Sequence, residues 1–180
     1  TRCIHCRAVL EVVAESAMII VREKRMNGAV PFIVGESIDR YNLQQSLWIL
    51  QNFEGINYKN ASVYRGPKLL VRKTGVGISA AIDYTNAYTN QVVYIFRQRK
   101  EDGVCGMSLE FFLGVLNSRA MYYFLTKRHG ETEWRSHPYV TQSQILALPL
   151  PSKDVLMRKS GTMRRITSML LPYTRRGVEL

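Results

Sequence analysis

Acidic groups, thiols and imidazoles are what this sequence has least of. Its 180 residues hold 14 Asp and Glu against 25 Lys and Arg, with 3 Cys and 3 His. The few carboxylates do not cluster, which argues against a two-metal centre, since paired cations need several of them close together. Cys3, Cys6 and Cys105 cannot all pair within the chain. No disulfide framework is expected, and a reducing cytoplasm fits. No run approaches about 18 uninterrupted apolar residues, so neither a membrane span nor a membrane partner is expected. No basic-then-apolar leader opens the chain. It begins at Thr1 rather than Met, which suggests a piece cut from a longer protein.

The common catalytic signatures are missing too. There is no P-loop and no Gly-rich dinucleotide turn. Gly75 and Gly77 form a lone G-x-G, better explained as a hairpin turn. The serine-hydrolase elbow is absent. His5, His129 and His137 lack zincin spacing. Cys3-Ile4-His5-Cys6 contains a C-x-x-C, but that is half of a zinc site. Ordinary N-terminal cysteines are the simpler explanation. No catalytic residue, metal or cofactor is therefore expected in this chain.

What is present is positive charge. The formal net charge is +11 and the pI is near 9.8. Such a balance favours nucleic acid or an anionic surface as partner. At 46% hydrophobic and 22% charged, the chain can fill a core. Its length suits one domain, or one domain with an appended piece.

Short strands dominate the first two thirds. Residues 8–13, 17–22, 30–34 and 46–51 are strand candidates, with a turn at Met26-Asn27-Gly28. Gly66-Pro67 introduces a strand over residues 68–73. Thr74-Gly75-Val76-Gly77 turns, and residues 78–82 return. Residues 91–96 are the clearest strand, following a Tyr/Asn/Thr-rich loop. Helices come later. Leu109, Phe112, Leu113, Leu116, Ala120, Tyr123 and Phe124 fall at near-3.6 spacing, which predicts one helix of about five turns capped by Ser108. A shorter helix starts at Thr141, with Gln144 completing a capping box, and stops before Pro149. Residues 153–171 form a basic helix candidate. The expectation is an α+β fold: a mostly antiparallel, twisted sheet first, then a long helix and shorter helices. Residues 1–151 would form the main domain and residues 152–180 a basic helical appendage.

The cations are grouped. Lys59, Arg65, Lys68, Arg72 and Lys73 share a short span, and Lys68 and Arg72 share a strand face. Arg97, Arg99 and Lys100 follow the strand at Tyr94. Lys127, Arg128 and Arg135 surround the end of the long helix. Tyr58, Tyr64, Tyr84 and Tyr88 lie in nearby loops. Lys and Arg neutralise phosphates, and loop side chains reach base edges. Charge alone leaves open a solvated basic face with core tyrosines.

Four segments are more specific. Val34-Gly35-Glu36-Ser37-Ile38-Asp39-Arg40-Tyr41 resembles the "G-x-x-I-x-R-Y" element of DNA-methyltransferase target-recognition domains. Gly66-Pro67-Lys68-Leu69-Leu70-Val71-Arg72 looks like the "x-P-K-I-L-x-R" strand of the same family. Leu113-Gly114-Val115-Leu116-Asn117-Ser118 resembles its "L-L-x-L-L-N-S" helix. Residues 144–151, ending Leu-Pro-Leu-Pro, resemble its "I-P-I-P" close. In this order the four identify the TaqI-like C-terminal specificity domain of adenine-specific restriction–modification proteins, over residues 30–151. The resemblance implies a double-stranded DNA partner and an upstream methyltransferase domain in the same polypeptide. That domain would hold S-adenosylmethionine and the catalytic motif, with endonuclease activity in members that also cut. It adds Arg40 to the pool of DNA contacts. The Cys3–Cys6 start and the basic tail match no element of the family. Other readings stay open: a specificity subunit of a type I system, a basic RNA- or protein-binding module, or a small enzyme.

Overall fold

A computed structural model describes residues 21–98, 107–129 and 138–159, with 161, 162, 164, 165 and 168–170. The strand expected at residues 8–13 lies outside the described residues. So do Cys3, His5, Cys6, Arg99, Lys100, Cys105, Arg135 and His137.

The fold is α+β, as expected. Nine short strands come first among the described residues: β1 Val21–Arg22, β2 Ala29–Ile33, β3 Ile38–Asp39, β4 Asn42–Leu43, β5 Leu47–Leu50, β6 Lys68–Arg72, β7 Ala80–Asp83, β8 Tyr88–Thr89 and β9 Val93–Phe96. Four helices follow: α1 Leu109–Leu116, α2 Arg119–His129, α3 Gln142–Leu146 and α4 Lys153–Arg158. The strands form three sheets, ordered β1-β5-β2-β8, β3-β4 and β7-β6-β9. Every pairing is antiparallel except β2 with β8.

Strand β6 is the centre of the molecule. It pairs with β7 on one side and β9 on the other, and Lys68 through Val71 are all buried. Alternation sends its side chains to opposite faces. Leu69 and Val71 join Leu113, Leu116, Leu125, Val140, Ile145 and Leu148 from the helical side. Leu70 joins Ile33, Ile38, Ala81, Ala87 and Val93 on the other side. Burial on both faces is why Lys-Leu-Leu-Val-Arg has a continuous apolar centre instead of an alternating pattern.

The long helix is two helices. The apolar stripe runs through, but the backbone breaks at Asn117-Ser118. The Asn117 side-chain amide turns onto β7, where Oδ1 accepts from Ala80 N at 3.0 Å and Nδ2 donates to Ala80 O at 2.9 Å. Ser118 Oγ then accepts from Met121 N at 3.2 Å and caps the next helix. Tyr41 N also donates to Ala80 O, at 3.0 Å. Together these groups satisfy the outward N–H and C=O of Ala80 on β7, which would otherwise be unpaired.

The other helix starts follow their sequence signals. Ser108 Oγ accepts from Phe111 N at 3.2 Å and caps α1. Thr141 and Gln144 complete the expected capping box, with both reciprocal bonds present. Of the helix expected over residues 153–171, α4 ends at Arg158, and the described residues 161, 162, 164, 165 and 168–170 are helical. Leu170 lines a groove of about 590 Å³ with Tyr41, Phe111, Met121 and Pro149. A methyl on Gly114 would lie 2.9 Å from Leu170 Cδ1, so this close approach uses the missing side chain. Among the described residues, no helix is long and apolar enough to cross a membrane.

Replacing Asn117 by Ala leaves the buried Ala80 N–H without its partner. The expected cost is about 2 kcal/mol, the usual scale for stranding a buried polar group. Urea unfolding of the variant and the parent measures it.

Candidate nucleic-acid interface

The hairpin that joins β6 to β7 is built to hold one shape. Gly75 (φ +107°) and Gly77 (φ +75°) take left-handed backbone that other residues avoid. Each side of the turn is tied down. Lys73 N donates to Val92 O at 2.9 Å, and Lys73 O accepts from Val140 N at 2.7 Å. Gly75 N donates to Pro138 O at 2.9 Å, and Thr74 bridges to Tyr139. Gly77 lies against the ring of Tyr122, where a methyl would stand 2.5 Å from Cδ2. Thr74 and Val76, between these anchors, face solvent, Val76 at 43% exposure.

A guanidinium stands at each glycine. Arg72 Nε lies 3.8 Å from where a methyl on Gly75 would be, and donates to Thr74 Oγ1 at 3.2 Å. Arg40 Nη2 lies 3.7 Å from the equivalent point on Gly77, and its guanidinium sits 5.7 Å from the Tyr122 ring centroid. Lys73 follows, its Nζ 4.5 Å from the Tyr94 ring. The first resemblance element sets this geometry. Gly35 packs where a methyl would meet Val92 Cγ2 at 2.9 Å and Arg72 Cγ at 3.6 Å. Ile38 anchors the segment in the core, and Tyr41 takes φ +65° with its N–H on Ala80. Arg40 is left exposed beside the hairpin.

The other expected contacts form two further groups. Exposed Arg97 lies at the Lys68 end of β6, about 13 Å from Arg72 at ~3.3 Å per strand residue, and exposed Arg65 precedes that strand. Arg97 Nη1 donates to Ser62 O at 2.6 Å, tethering the loop that carries exposed Lys59. Lys127 and Arg128 are exposed in the last turn of α2, over Tyr123 and Phe124. So Arg40 and Arg72 are brought to the turn, Lys73 lies over Tyr94 on the other strand face, and the rest lie elsewhere.

Lys68 must be corrected. It was expected among the DNA contacts, but its side chain is fully buried in an ion pair with fully buried Asp83. Its Nζ also donates to Tyr64 O at 2.8 Å. Asp83 accepts from Thr85 N at 2.7 Å, Thr85 Oγ1 at 2.6 Å and Ala87 N at 2.9 Å. Burial pushes the Lys68 pKa below the usual lysine value, and the Asp83 hydrogen bond and charge oppose that shift. Tyr64 is also internal. It stacks on Tyr88 at 4.0 Å, with Tyr58 edge-on to Tyr88 at 6.2 Å, and burial raises its hydroxyl pKa. At least this part of the expected aromatic surface is packing. The sequence held one signal for Lys68: the apolar run that follows it belongs to a strand buried on both faces.

A family model described as the TaqI-like C-terminal specificity domain matches residues 30–150. No curated protein gives a significant match.

Removing one partner of a buried ion pair strands the other charge and typically costs about 3–5 kcal/mol. Lys68→Met is therefore expected to lower unfolding stability by about 3 kcal/mol. Arg65→Met, on the surface, is expected to change it by less than about 0.5 kcal/mol. Chemical denaturation of the pair separates the buried cation from the exposed one.

Proposed function

The chain belongs to the TaqI-like C-terminal specificity domains, and from that membership we propose that it grips double-stranded DNA through the braced β6–β7 hairpin. In this proposal it supplies site recognition to an adenine-specific methyltransferase of a restriction–modification system. The observation that carries it is the pair of guanidiniums beside a fixed, exposed turn. Among the described residues the one ion pair is Lys68–Asp83. Neither Arg40 nor Arg72 is therefore neutralised by a described carboxylate. Arg presents a planar fork that matches phosphate oxygens. Such contacts set the register of protein on duplex. Lys73 adds a third charge. Lys59, Arg65, Arg97, Lys127 and Arg128 serve as outlying phosphate contacts, with Arg99, Lys100 and Arg135 from the sequence.

The chemistry belongs to another domain of the same polypeptide. S-adenosylmethionine supplies the methyl group there. The role of this chain is to hold the duplex while the target adenine leaves the stack, a step that enzymes acting on a base within a duplex require. Residues 152–180 form a basic appendage to the recognition domain.

Each neutralised phosphate contributes about −0.9 to the slope of log affinity against log salt. The variant Arg40→Gln/Arg72→Gln/Lys73→Gln is expected to make that slope shallower by about 2.7. Fluorescence anisotropy of a labelled duplex across a salt series reads it. An unchanged slope in a folded variant contradicts the proposed grip.

A further inference from the structure

Between the two guanidiniums the turn exposes a hydroxyl and an aliphatic side chain. Thr74 Oγ1 accepts from Arg72 Nε at 3.2 Å, and the hydroxyl keeps its hydrogen to donate along with a second lone pair. Val76 offers two methyls at 43% exposure. Gly75 separates them, so along the chain Thr74 and Val76 are at most about 7 Å apart. Backbone bonds to Pro138 and Val140, and the Tyr122 ring against Gly77, fix the turn before any ligand arrives. A pre-ordered tip of this kind loses little entropy on binding. A two-stranded ribbon fits the major groove of B-DNA.

We propose that this turn reads thymine, with Thr74 donating to O4 and Val76 packing on the C5 methyl. The inference rests on the duplex-binding function proposed above and deepens it. A donor beside an apolar surface complements one base edge in the major groove. Thymine presents an acceptor next to a methyl, whereas cytosine presents a donor. The reach of the turn covers one base pair or two adjacent ones. Arg40 and Arg72 set the depth of insertion by holding phosphates, and carry no sequence information of their own.

The experiment starts from the sequence that the protein enriches from a randomised duplex pool. Each thymine of that sequence is then replaced singly by deoxyuridine, which removes the methyl alone. At one position the replacement is expected to weaken binding by the parent protein about fourfold, the effect of one buried methyl group. The same replacement is expected to leave binding by Val76→Ala unchanged. Thr74→Ala is expected to lose preference at that pair or its neighbour. Both variants keep the parent's salt slope, which separates base contact from phosphate contact. Equal losses for parent and Val76→Ala at every thymine, or an enriched site without thymine, overturn the inference and leave duplex recognition standing. A parent protein that enriches no sequence overturns both.

Discussion

Two charges with no access to water organise this fold. Lys68 and Asp83 face each other at the matched ends of β6 and β7. Taking both from solvent is expensive, and such a pair is tolerated where the remaining donors and acceptors are satisfied. Here they are. Asp83 accepts from two backbone N–H groups and a hydroxyl besides the ammonium, and Lys68 also reaches Tyr64 O. One network thereby fixes the loop before β6 and the loop after β7. Gly66 N donates to Asn86 Oδ1 at 2.6 Å and ties the same two loops again. Past that second loop, β8 lies parallel to β2 and extends the other sheet.

With one end of β6 fixed inside, its other end reaches the exposed turn. Four residues along the strand, Arg72 emerges beside the turn. The resemblance elements divide along this line. Gly35, Ile38, Tyr41, Lys68, Gly114 and Asn117 act as frame. Their contacts are close backbone approaches, edge satisfaction and a buried charge. Thr74 and Val76 are held exposed by the frame, Thr74 through its bridge to Tyr139 and its bond from Arg72, as expected where loops on a fixed scaffold carry function.

Much of the frame was legible in the sequence because its signals are local. The apolar centre of β6, the Thr-x-x-Gln capping box and the Gly-x-Gly turn each declare themselves within a few residues. What was hidden depends on distant partners. Period 3.6 continues through Asn117, so nothing local reveals that its amide is used by β7 and that a new helix starts at Ser118. Lys68 looks like its neighbour Arg72 until Asp83 is placed opposite it. The two-residue strands β3 and β4 are too short to show alternation. Arg40 meets Tyr122 only once the first element and α2 are folded together. The basic pool could not separate an internal cation from the external ones.

The proposed grip of duplex DNA at the β6–β7 turn can be located directly. Titrating the isotopically labelled protein with duplex DNA while following backbone amide shifts locates contact residue by residue. Shifts are expected to concentrate at Arg40 and residues 72–77, with the amides of Lys68, Asp83 and Ala87 nearly still. Shifts confined to other faces, or none at DNA concentrations that saturate anisotropy binding, would contradict it.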